Sequence, residues 1–394
     1  MEVIKKCLDV RPAFRFDRFG FNDEDIVFFD IETTGLSAIN SVLYLIGVVY
    51  FEKDSWKFEQ WFADECDDEV SLIKTFFELL DARKYLIHYN GNGFDIPYIK
   101  KKIEQYSLNY NFDNIESIDL YTIARKYKGL LKLQNCKLVT VEKYLGIIRE
   151  DKYSGKELID TYKEFIKVFS LEKLKENFEK SNILKNDLLL HNEEDIIDLL
   201  EVSKIKYLDE LLSGNVIFDN YRLEKDTLMI NYYTDYYIPL KEKIIVEEEK
   251  CRVIIDDNDN NACLDELNKI RVIVPIFDRN LKYFYPDYKN YYYLINEDMA
   301  IHKSVAKFVD KEYREQAKPT NCYIKKDDRF VPAFSTMNVP KFKESYDSSE
   351  SAYQLSNILK NNENIDLYGK TVIKNMNIAK LNVHWLKNRT NICI

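Results

Sequence analysis

The alternation of apolar and polar positions divides the chain into two parts. In the first part, three apolar runs of strand type follow one another, Ile26–Phe29, Ser41–Phe51 and Trp56–Phe62, with turn residues between them. A fourth short run, Tyr85–Tyr89, leads into a glycine-rich turn. Because helical and strand patterns alternate after these runs, we expect an α/β domain with a mixed β-sheet flanked by helices.

Three segments of the first part show helical signals. Asp67 or Asp68 suits the N-cap of a helix whose apolar positions recur at helical intervals. These positions are Val70, Ile73, Phe76, Phe77 and Leu80. A second helix is expected near Pro97, because proline suits the first helical turn. The run from Leu188 to Leu200 predicts a third helix.

The second part has a different character, with strand-like alternation in five short segments. They are Thr227–Tyr237, Lys243–Glu249, Arg252–Asp256, Arg271–Phe277 and Leu281–Tyr285. Asn296–Tyr313 has the spacing of an amphipathic helix. We therefore predict a first domain of residues 1–215 and a second, β-rich α+β C-terminal domain of residues 216–394.

Composition narrows the class of protein and its compartment. The 394 residues are 46% hydrophobic and 31% charged, which is typical of a soluble globular protein of two domains. Seven cysteines without Cys-x-x-Cys pairs favour reduced thiols in the cytoplasm. No apolar run is long enough to cross a bilayer, and Met1–Lys6 does not lead into the apolar core of a signal peptide, so we expect no membrane partner. The net charge of −10 disfavours indiscriminate nucleic-acid binding but allows a local basic groove.

Acidic residues supply the candidate chemistry. Asp30 and Glu32 end the first apolar run and share one face of the predicted strand, because side chains alternate along a strand. Two neighbouring carboxylates at a buried strand end call for a cation, and oxygen ligands favour Mg²⁺ or Mn²⁺. Asp95 follows the glycine-rich turn, where an aspartate acts as a helix cap or as a third ligand.

The helix predicted at residues 188–200 carries a fourth acid and a histidine. His191 and Asp195 are four residues apart and therefore lie on the same helical face. Asp198 lies near that face and is the competing assignment for Asp195. Residues 120–143 form a basic stretch that includes Arg125, Lys126 and Lys128. This stretch is either a solvated helix face or a contact surface for phosphates.

These motifs, in this order, resemble those of one nuclease family. Asp30-Ile31-Glu32-Thr33-Thr34-Gly35, Asn90-x-x-x-Phe94-Asp95 and His191-x-x-x-Asp195 are similar to the three motifs of the DEDD-type, DnaQ-like 3′–5′ exonucleases, which have a ribonuclease H-like fold. The YprB-like branch is the most similar, and the resemblance covers roughly residues 20–210.

The resemblance implies roles for individual residues. Asp30, Glu32, Asp95 and Asp195 would hold two divalent cations, Mg²⁺ or Mn²⁺. Substrate binding is expected at Thr33, Thr34, Gly35, Asn90, Asn92 and Phe94, and at the basic residues named above. The histidine subclass of the family places its histidine five residues before the last aspartate, and the tyrosine subclass places a tyrosine four before it. His191 stands at the tyrosine spacing, so its role as general base stays open.

The function expected from the resemblance is a metal-dependent 3′–5′ exonuclease. It would hydrolyse phosphodiester bonds of single-stranded DNA or RNA from 3′ ends and release nucleoside monophosphates by a two-metal mechanism. The alternative is a catalytically quiet, nuclease-like module that binds nucleic acid or acts as a scaffold. Protein partners of the C-terminal domain remain open, and nothing in the motifs separates DNA from RNA.

Overall fold

The apolar run that precedes Asp30 lies inside a six-stranded sheet. The computed structural model describes residues 1–64, 68–150, 153, 155–169, 175–248, 250–256 and 268–376. The strands are β1 (Glu2–Leu8), β2 (Ile26–Thr33), β3 (Leu43–Glu52), β4 (Ser55–Phe62), β5 (Tyr85–His88) and β6 (Glu116–Asp119). Their order across the sheet is β1-β4-β3-β2-β5-β6. The pairs β1–β4, β4–β3 and β3–β2 are antiparallel, whereas β2–β5 and β5–β6 are parallel.

Helices flank this sheet, and the three expected from the sequence occur in the expected order. The helices are α1 (Glu69–Leu80), α2 (Asp95–Gln105), α3 (Leu120–Tyr127), α4 (Leu138–Leu145), α5 (Gly155–Phe169), α6 (Lys175–Val202) and α7 (Tyr207–Leu212). The predicted fold class, a mixed sheet flanked by helices with a ribonuclease H-like arrangement, is confirmed. The helix expected at residues 188–200 is the C-terminal half of α6.

Strand β2 is central because its side chains are apolar on both faces up to Phe29. Ile26, Val27, Phe28 and Phe29 are all fully buried. Phe29 stacks on Phe76 of α1, with ring centroids 5.2 Å apart. Burying one such side chain contributes roughly 1.5–3 kcal/mol, so the core holds the strand end rigidly in place.

The structure also differs from two local expectations. Strand β1 was not predicted from the sequence, and in the structure it pairs with β4 at the sheet edge. Helix α1 begins at Glu69, and Asp68 makes no capping hydrogen bond to it. Instead, the buried Glu69 carboxylate accepts a hydrogen bond from the Leu43 backbone N–H at 2.6 Å. The other cap candidate, Asp67, lies outside the described residues.

The chain forms two compact units, Met1–Asp209 and Glu210–Ile394. The second unit is rich in β-structure, as predicted. Its strands are β7 (Ile217–Glu224), β8 (Thr227–Tyr233), β9 (Ile244–Glu248), β10 (Cys251–Ile255), β11 (Lys269–Pro275), β12 (Phe277–Phe284), β13 (Tyr291–Leu294), β14 (Met299–His302), β15 (Arg314–Gln316), β16 (Tyr323–Pro332), β17 (Lys341–Phe342) and β18 (Ala352–Gln354). They form sheets of the orders β7-β8-β11-β10-β9, β12-β16-β18-β17 and β14-β13-β15. The helices are α8 (Lys303–Ala306), α9 (Leu355–Ile358) and α10 (Asn362–Lys374).

The prediction of an amphipathic helix over Asn296–Tyr313 is wrong. The segment begins with a turn in which Asp298 has a left-handed backbone, with φ of 48°. Strand β14 follows and pairs with β13, so cross-strand pairing overrides the helical spacing of the apolar residues. Only the four residues of α8 are α-helical, and Lys311–Tyr313 form a short 3₁₀ turn.

Among the described residues, no helix has both the length and the apolar character needed to span a membrane.

Candidate metal centre

The first two acids of the site lie at the end of the central strand. Asp30 and Glu32 occupy alternate positions of β2, opposite Gly47 and Leu45 of β3. The pairing register shifts between Glu32 and Thr33, which ends the regular ladder. The two carboxylates therefore project from one face of the most rigid part of the sheet, as the alternation predicted.

Asp95 reaches the same region from the start of α2. It is buried, and hydrogen bonds from the backbone N–H groups of Asp95 and Ile31 favour its ionised form. Ile31 lies between Asp30 and Glu32 in the sequence. The hydrogen bond from its backbone N–H therefore holds the Asp95 carboxylate at the end of β2.

The turn that carries Asp95 is shaped by Asp119 at the end of β6. The Asp119 carboxylate accepts hydrogen bonds from the backbone N–H groups of Asn90 at 2.8 Å and Asn92 at 3.4 Å. Asn90 has a left-handed backbone with φ of 64°, which asparagine tolerates better than most residues. Below the turn, His88 Nδ1 accepts from the Gly91 N–H at 3.0 Å. Burial lowers the pKa of His88 to about 4, so the ring is neutral and suited to accept that bond.

Helix α6 supplies the remaining residues. His191 Nε2 lies 3.5 Å from Asp195 Oδ2 and 3.7 Å from Glu32 Oε1. One donor atom each of Glu32, His191 and Asp195 lie within 4.8 Å of one another, a spacing that suits shared metal coordination. The predicted helical neighbours His191 and Asp195 thus meet the Glu32 carboxylate.

The electrostatics of the group call for a cation. Burial, followed by the charges of Asp95, Asp195 and Glu32, holds the pKa of Asp30 well above its ordinary value. Burial raises the pKa of Asp95 to about 7. A divalent cation among these oxygens would offset the repulsion and restore the ionised forms. The donor set is mainly hard carboxylate oxygen, so the residues present fit Mg²⁺ or Mn²⁺.

Arg149 is a residue of the site that the sequence analysis missed. Its guanidinium forms ion pairs with Asp195, with Glu142 at 3.3 Å and with Glu194 at 3.5 Å. Burial alone would lower the pKa of Arg149, but the charges of Asp195 and Glu142 raise it. Arg149 therefore carries a permanent positive charge beside the acids.

Glu142 and Asp198 lie in the same electrostatic environment. Burial raises the pKa of Glu142 to about 7 and that of Asp198 to about 6, although the Arg149 charge opposes both shifts. Asp195 lies within ion-pair distance of both His191 and Arg149, and the choice between Asp195 and Asp198 as a metal ligand stays a prediction.

A cleft of about 400 Å³ opens beside His191. It is lined by apolar side chains of Val139, Ile147 and Ile148 and by the charged groups of Lys143 and Arg149. Ile148 is 92% exposed, which is unusual for so large an apolar residue. The lining also includes Glu142, so the cleft combines apolar surface with charges of both signs.

The predicted contact residues after Glu32 are occupied within their own loop. Thr33 Oγ1 donates to the Gly35 carbonyl at 3.0 Å. Thr34 Oγ1 accepts from the Val42 N–H at 2.8 Å. The Gly35 carbonyl also accepts from Ser41 Oγ. These hydrogen bonds shape the loop beside the acids, and substrate contact at these positions stays a prediction.

The contact residues predicted before Asp95 differ in exposure. Asn90 and Asn92 are exposed, and the Asn92 side chain accepts a hydrogen bond from Ser117 Oγ at 2.8 Å. Phe94 packs against the core and lies near Tyr98, with ring centroids 5.6 Å apart. Substrate contact at these three positions stays a prediction.

The basic stretch is divided between α3, a turn and α4. Arg125, Lys126 and Lys128 are all exposed. Lys126 Nζ pairs with Asp209 at 2.6 Å, which leaves Arg125 and Lys128 as better candidates for phosphate contact. Arg125 lies over the Tyr121 ring, 5.9 Å from its centroid.

Known proteins are similar to this chain in sequence and in fold. Residues 27–207 match a family model described as RNase_H superfamily. The chain is 26% identical over 274 residues to "Uncharacterized protein YprB" of Bacillus subtilis (strain 168). That match covers 66% of this chain and 61% of YprB, so the chain spans less than two thirds of the relative's length. A family B DNA polymerase from the archaeon Pyrobaculum calidifontis is 14% identical, with a TM-score of 0.37, over 67% of this chain and 35% of the polymerase. That likeness is too weak to support a conclusion about this chain.

Residues 27–207 therefore form a domain of the ribonuclease H-like superfamily. The likeness to YprB agrees with the resemblance to the YprB-like branch drawn from the motifs. Members of the superfamily are usually nucleases that use divalent metal ions, which agrees with a hydrolase acting on nucleic acid.

Proposed function

We propose that residues 1–215 form a metal-dependent 3′–5′ exonuclease. The substrate is single-stranded DNA or RNA, and the products are nucleoside monophosphates. The observation that supports this most strongly is the approach of acids from three separate elements to one point, with His191 Nε2 within 3.7 Å of two of them. The half-buried Asp30 and the buried Asp95 have raised pKa values there, as is typical of functional sites that hold clustered acids.

In this proposal Asp30, Glu32, Asp95 and Asp195 hold two divalent cations, Mg²⁺ or Mn²⁺. Four carboxylates balance the four positive charges of the ions. When bound, the ions supply electrostatic stabilisation to the attacking and leaving oxygens of the phosphodiester. The YprB-like motifs and the acidic cluster support this assignment, and the identity of the ions is part of the proposal.

His191 is the proposed general base. The imidazole lies beside Asp195 and Glu32, where it would take a proton from the attacking water. The water oxygen forms a bond to phosphorus as the bond from phosphorus to the 3′ oxygen breaks, and that oxygen takes a proton from the solvent. The cleft beside His191 offers apolar surface for the terminal nucleotide.

A second candidate is a catalytically quiet module that binds nucleic acid. The ion pair between Arg149 and Asp195 favours it, because an arginine held on a ligand opposes metal binding. The four acids favour the exonuclease, because a binding module does not need so many mutually repelling carboxylates in one place.

Metal titration with labelled strands separates the two candidates. Single-stranded DNA and RNA are incubated with rising Mn²⁺, and mononucleotides are separated from the strand. Asp30→Asn should lower their release by orders of magnitude, whereas Asp113→Asn, at an exposed position, is the matched control. Wild-type activity of Asp30→Asn at saturating Mn²⁺ would sink the proposal, and strands that are bound but never shortened would support the quiet module.

A further inference from the structure

Asp30, Gly47 and Gln60 form one row across three neighbouring strands. Asp30 of β2 is paired with Gly47 of β3, and Gly47 is paired with Gln60 of β4. Because paired residues share a face of the sheet, all three positions face the same way. The middle position has no side chain, so the row contains a gap between the Asp30 and Gln60 side chains.

The Asn192 side chain of α6 fills this gap. A Cβ atom at position 47 would lie 2.1 Å from Asn192 Oδ1 and 3.0 Å from Ile196 Cγ1. No side chain fits at that distance, which gives a packing reason for glycine at position 47. Asn192 is fully buried and Gln60 is 1% exposed, so both amides must satisfy their hydrogen bonds within the protein.

A chain of hydrogen bonds crosses the gap in one direction. Gln60 Nε2 donates to the Leu189 carbonyl at 2.8 Å and to Asn192 Oδ1 at 3.0 Å. Asn192 Nδ2 donates to Asp30 Oδ2 at 3.1 Å. The backbone carbonyl can only accept, so it fixes the Gln60 amide nitrogen towards it. That nitrogen in turn fixes the Asn192 oxygen, and the Asn192 nitrogen must face Asp30.

We propose that Asn192 is a positioning residue for the Asp30 carboxylate. Its N–H bond holds one oxygen, Oδ2, and thereby turns Oδ1 towards the cation position. A donor from Asn192 also favours the ionised carboxylate, which is the form that binds metal. This inference rests on the proposed function, because it assigns Asp30 as a metal ligand, and it gives a role to an unspecified position of the third motif.

Gly47 contributes to the same positioning of the Asp30 carboxylate, although it has no polar side chain. Its lack of a side chain lets α6 approach the sheet closely enough for Asn192 to reach both Asp30 and Gln60. Gly47→Ala should therefore push the Asn192 side chain away from Asp30 while it leaves both polar groups chemically intact.

The test measures Mn²⁺ binding by calorimetry in the full chain, with activity as a second readout. Asn192→Ala should weaken Mn²⁺ binding about 10- to 100-fold, the usual effect of removing a partner of a metal ligand. Gly47→Ala should weaken it similarly. In the double variant the two losses should not add, because both changes remove the same hydrogen bond. Raised Mn²⁺ should restore much of the turnover in each variant.

Asn268→Ala is the matched control for loss of a buried asparagine. Asn268 is 1% exposed and accepts a hydrogen bond from the Ile238 N–H, in the second unit. It should lower the melting temperature but leave Mn²⁺ binding unchanged. If Asn192→Ala does the same, Asn192 is only a packing residue and the proposal is wrong.

Two outcomes separate this inference from the proposed function. Wild-type protein that binds Mn²⁺ through Asp30 but releases no nucleotides contradicts the exonuclease, and weaker binding by Asn192→Ala then still supports the positioning role. Wild-type protein whose Mn²⁺ binding is unaffected by Asp30→Asn contradicts the positioning role directly.

Discussion

Arg149 places a positive charge against the acids of the candidate metal centre. Its side chain is 11% exposed and pairs with Glu142, which is 1% exposed, and with Glu194 and Asp195. A divalent cation at Asp195 would compete with this guanidinium. We predict that Arg149→Gln destabilises the metal-free protein and that Mn²⁺ removes most of the difference from wild type.

The structure sets the size of the effect. Removing one member of a buried ion pair costs about 3–5 kcal/mol, and of an exposed pair about 0–1 kcal/mol. Glu194 and Asp195 are 16% and 17% exposed, so the free energy of unfolding should fall by an intermediate amount, about 2–3 kcal/mol. That corresponds to a melting temperature lower by about 5–10 °C. At 100 times its Kd, Mn²⁺ adds about 2.7 kcal/mol to the stability of either protein. The difference shrinks because the variant, which lacks the competing guanidinium, should bind Mn²⁺ more tightly than wild type.

Thermal unfolding followed with chelator and with saturating Mn²⁺ tests this prediction. Arg252→Gln is the control, because its ion pair with Glu247 is about half exposed and should contribute little in either condition. The reasoning is refuted if the difference in melting temperature between Arg149→Gln and wild type is the same with and without Mn²⁺.

Four further predictions follow from the site. Burial raises the pKa values of Glu142 and Asp198, so the folded protein binds their protons more tightly than the unfolded chain does. The stability of the metal-free protein, measured by urea titration, should therefore fall as pH rises from about 4 to 7. A rise in stability over that range would contradict the burial of these two groups. His191→Ala should lose about 10²- to 10⁴-fold in single-turnover rate while it keeps Mn²⁺ binding, and an unchanged rate assigns the proton transfer elsewhere. Changing Arg125 and Lys128 to Ala should weaken binding and flatten its salt dependence, whereas an unchanged slope makes the stretch a solvated face. A fragment of residues 1–215 should fold and cut a short oligonucleotide, and an inert fragment beside an active full chain would show that the second unit is needed.

The sequence predicted the parts of the site that depend on local periodicity. The alternation along β2 placed Asp30 and Glu32 on one face, and the helical spacing paired His191 with Asp195. Both rules relate residues a few positions apart. They hold because the backbone geometry of a strand or helix fixes side-chain directions.

The missed residues depend on contacts between distant segments. Asn192 and Gln60 are 132 residues apart, and Arg149 reaches Asp195 across 46. Neither contact leaves a periodic signal in the sequence. Gly47 reads as an ordinary interruption of an apolar run, and its meaning emerges only when α6 packs over it. The wrong helix at Asn296–Tyr313 has the same origin, because pairing with β13 decided that segment.

The most direct test of the account follows a single strand labelled at its 3′ end. With Mn²⁺ present, the wild-type chain should release the label as a mononucleotide in the first turnover, before the strand shortens measurably, and Asp30→Asn should release almost none. Release of labelled fragments longer than one nucleotide, or equal release by Asp30→Asn, would contradict a 3′–5′ exonuclease built on these acids.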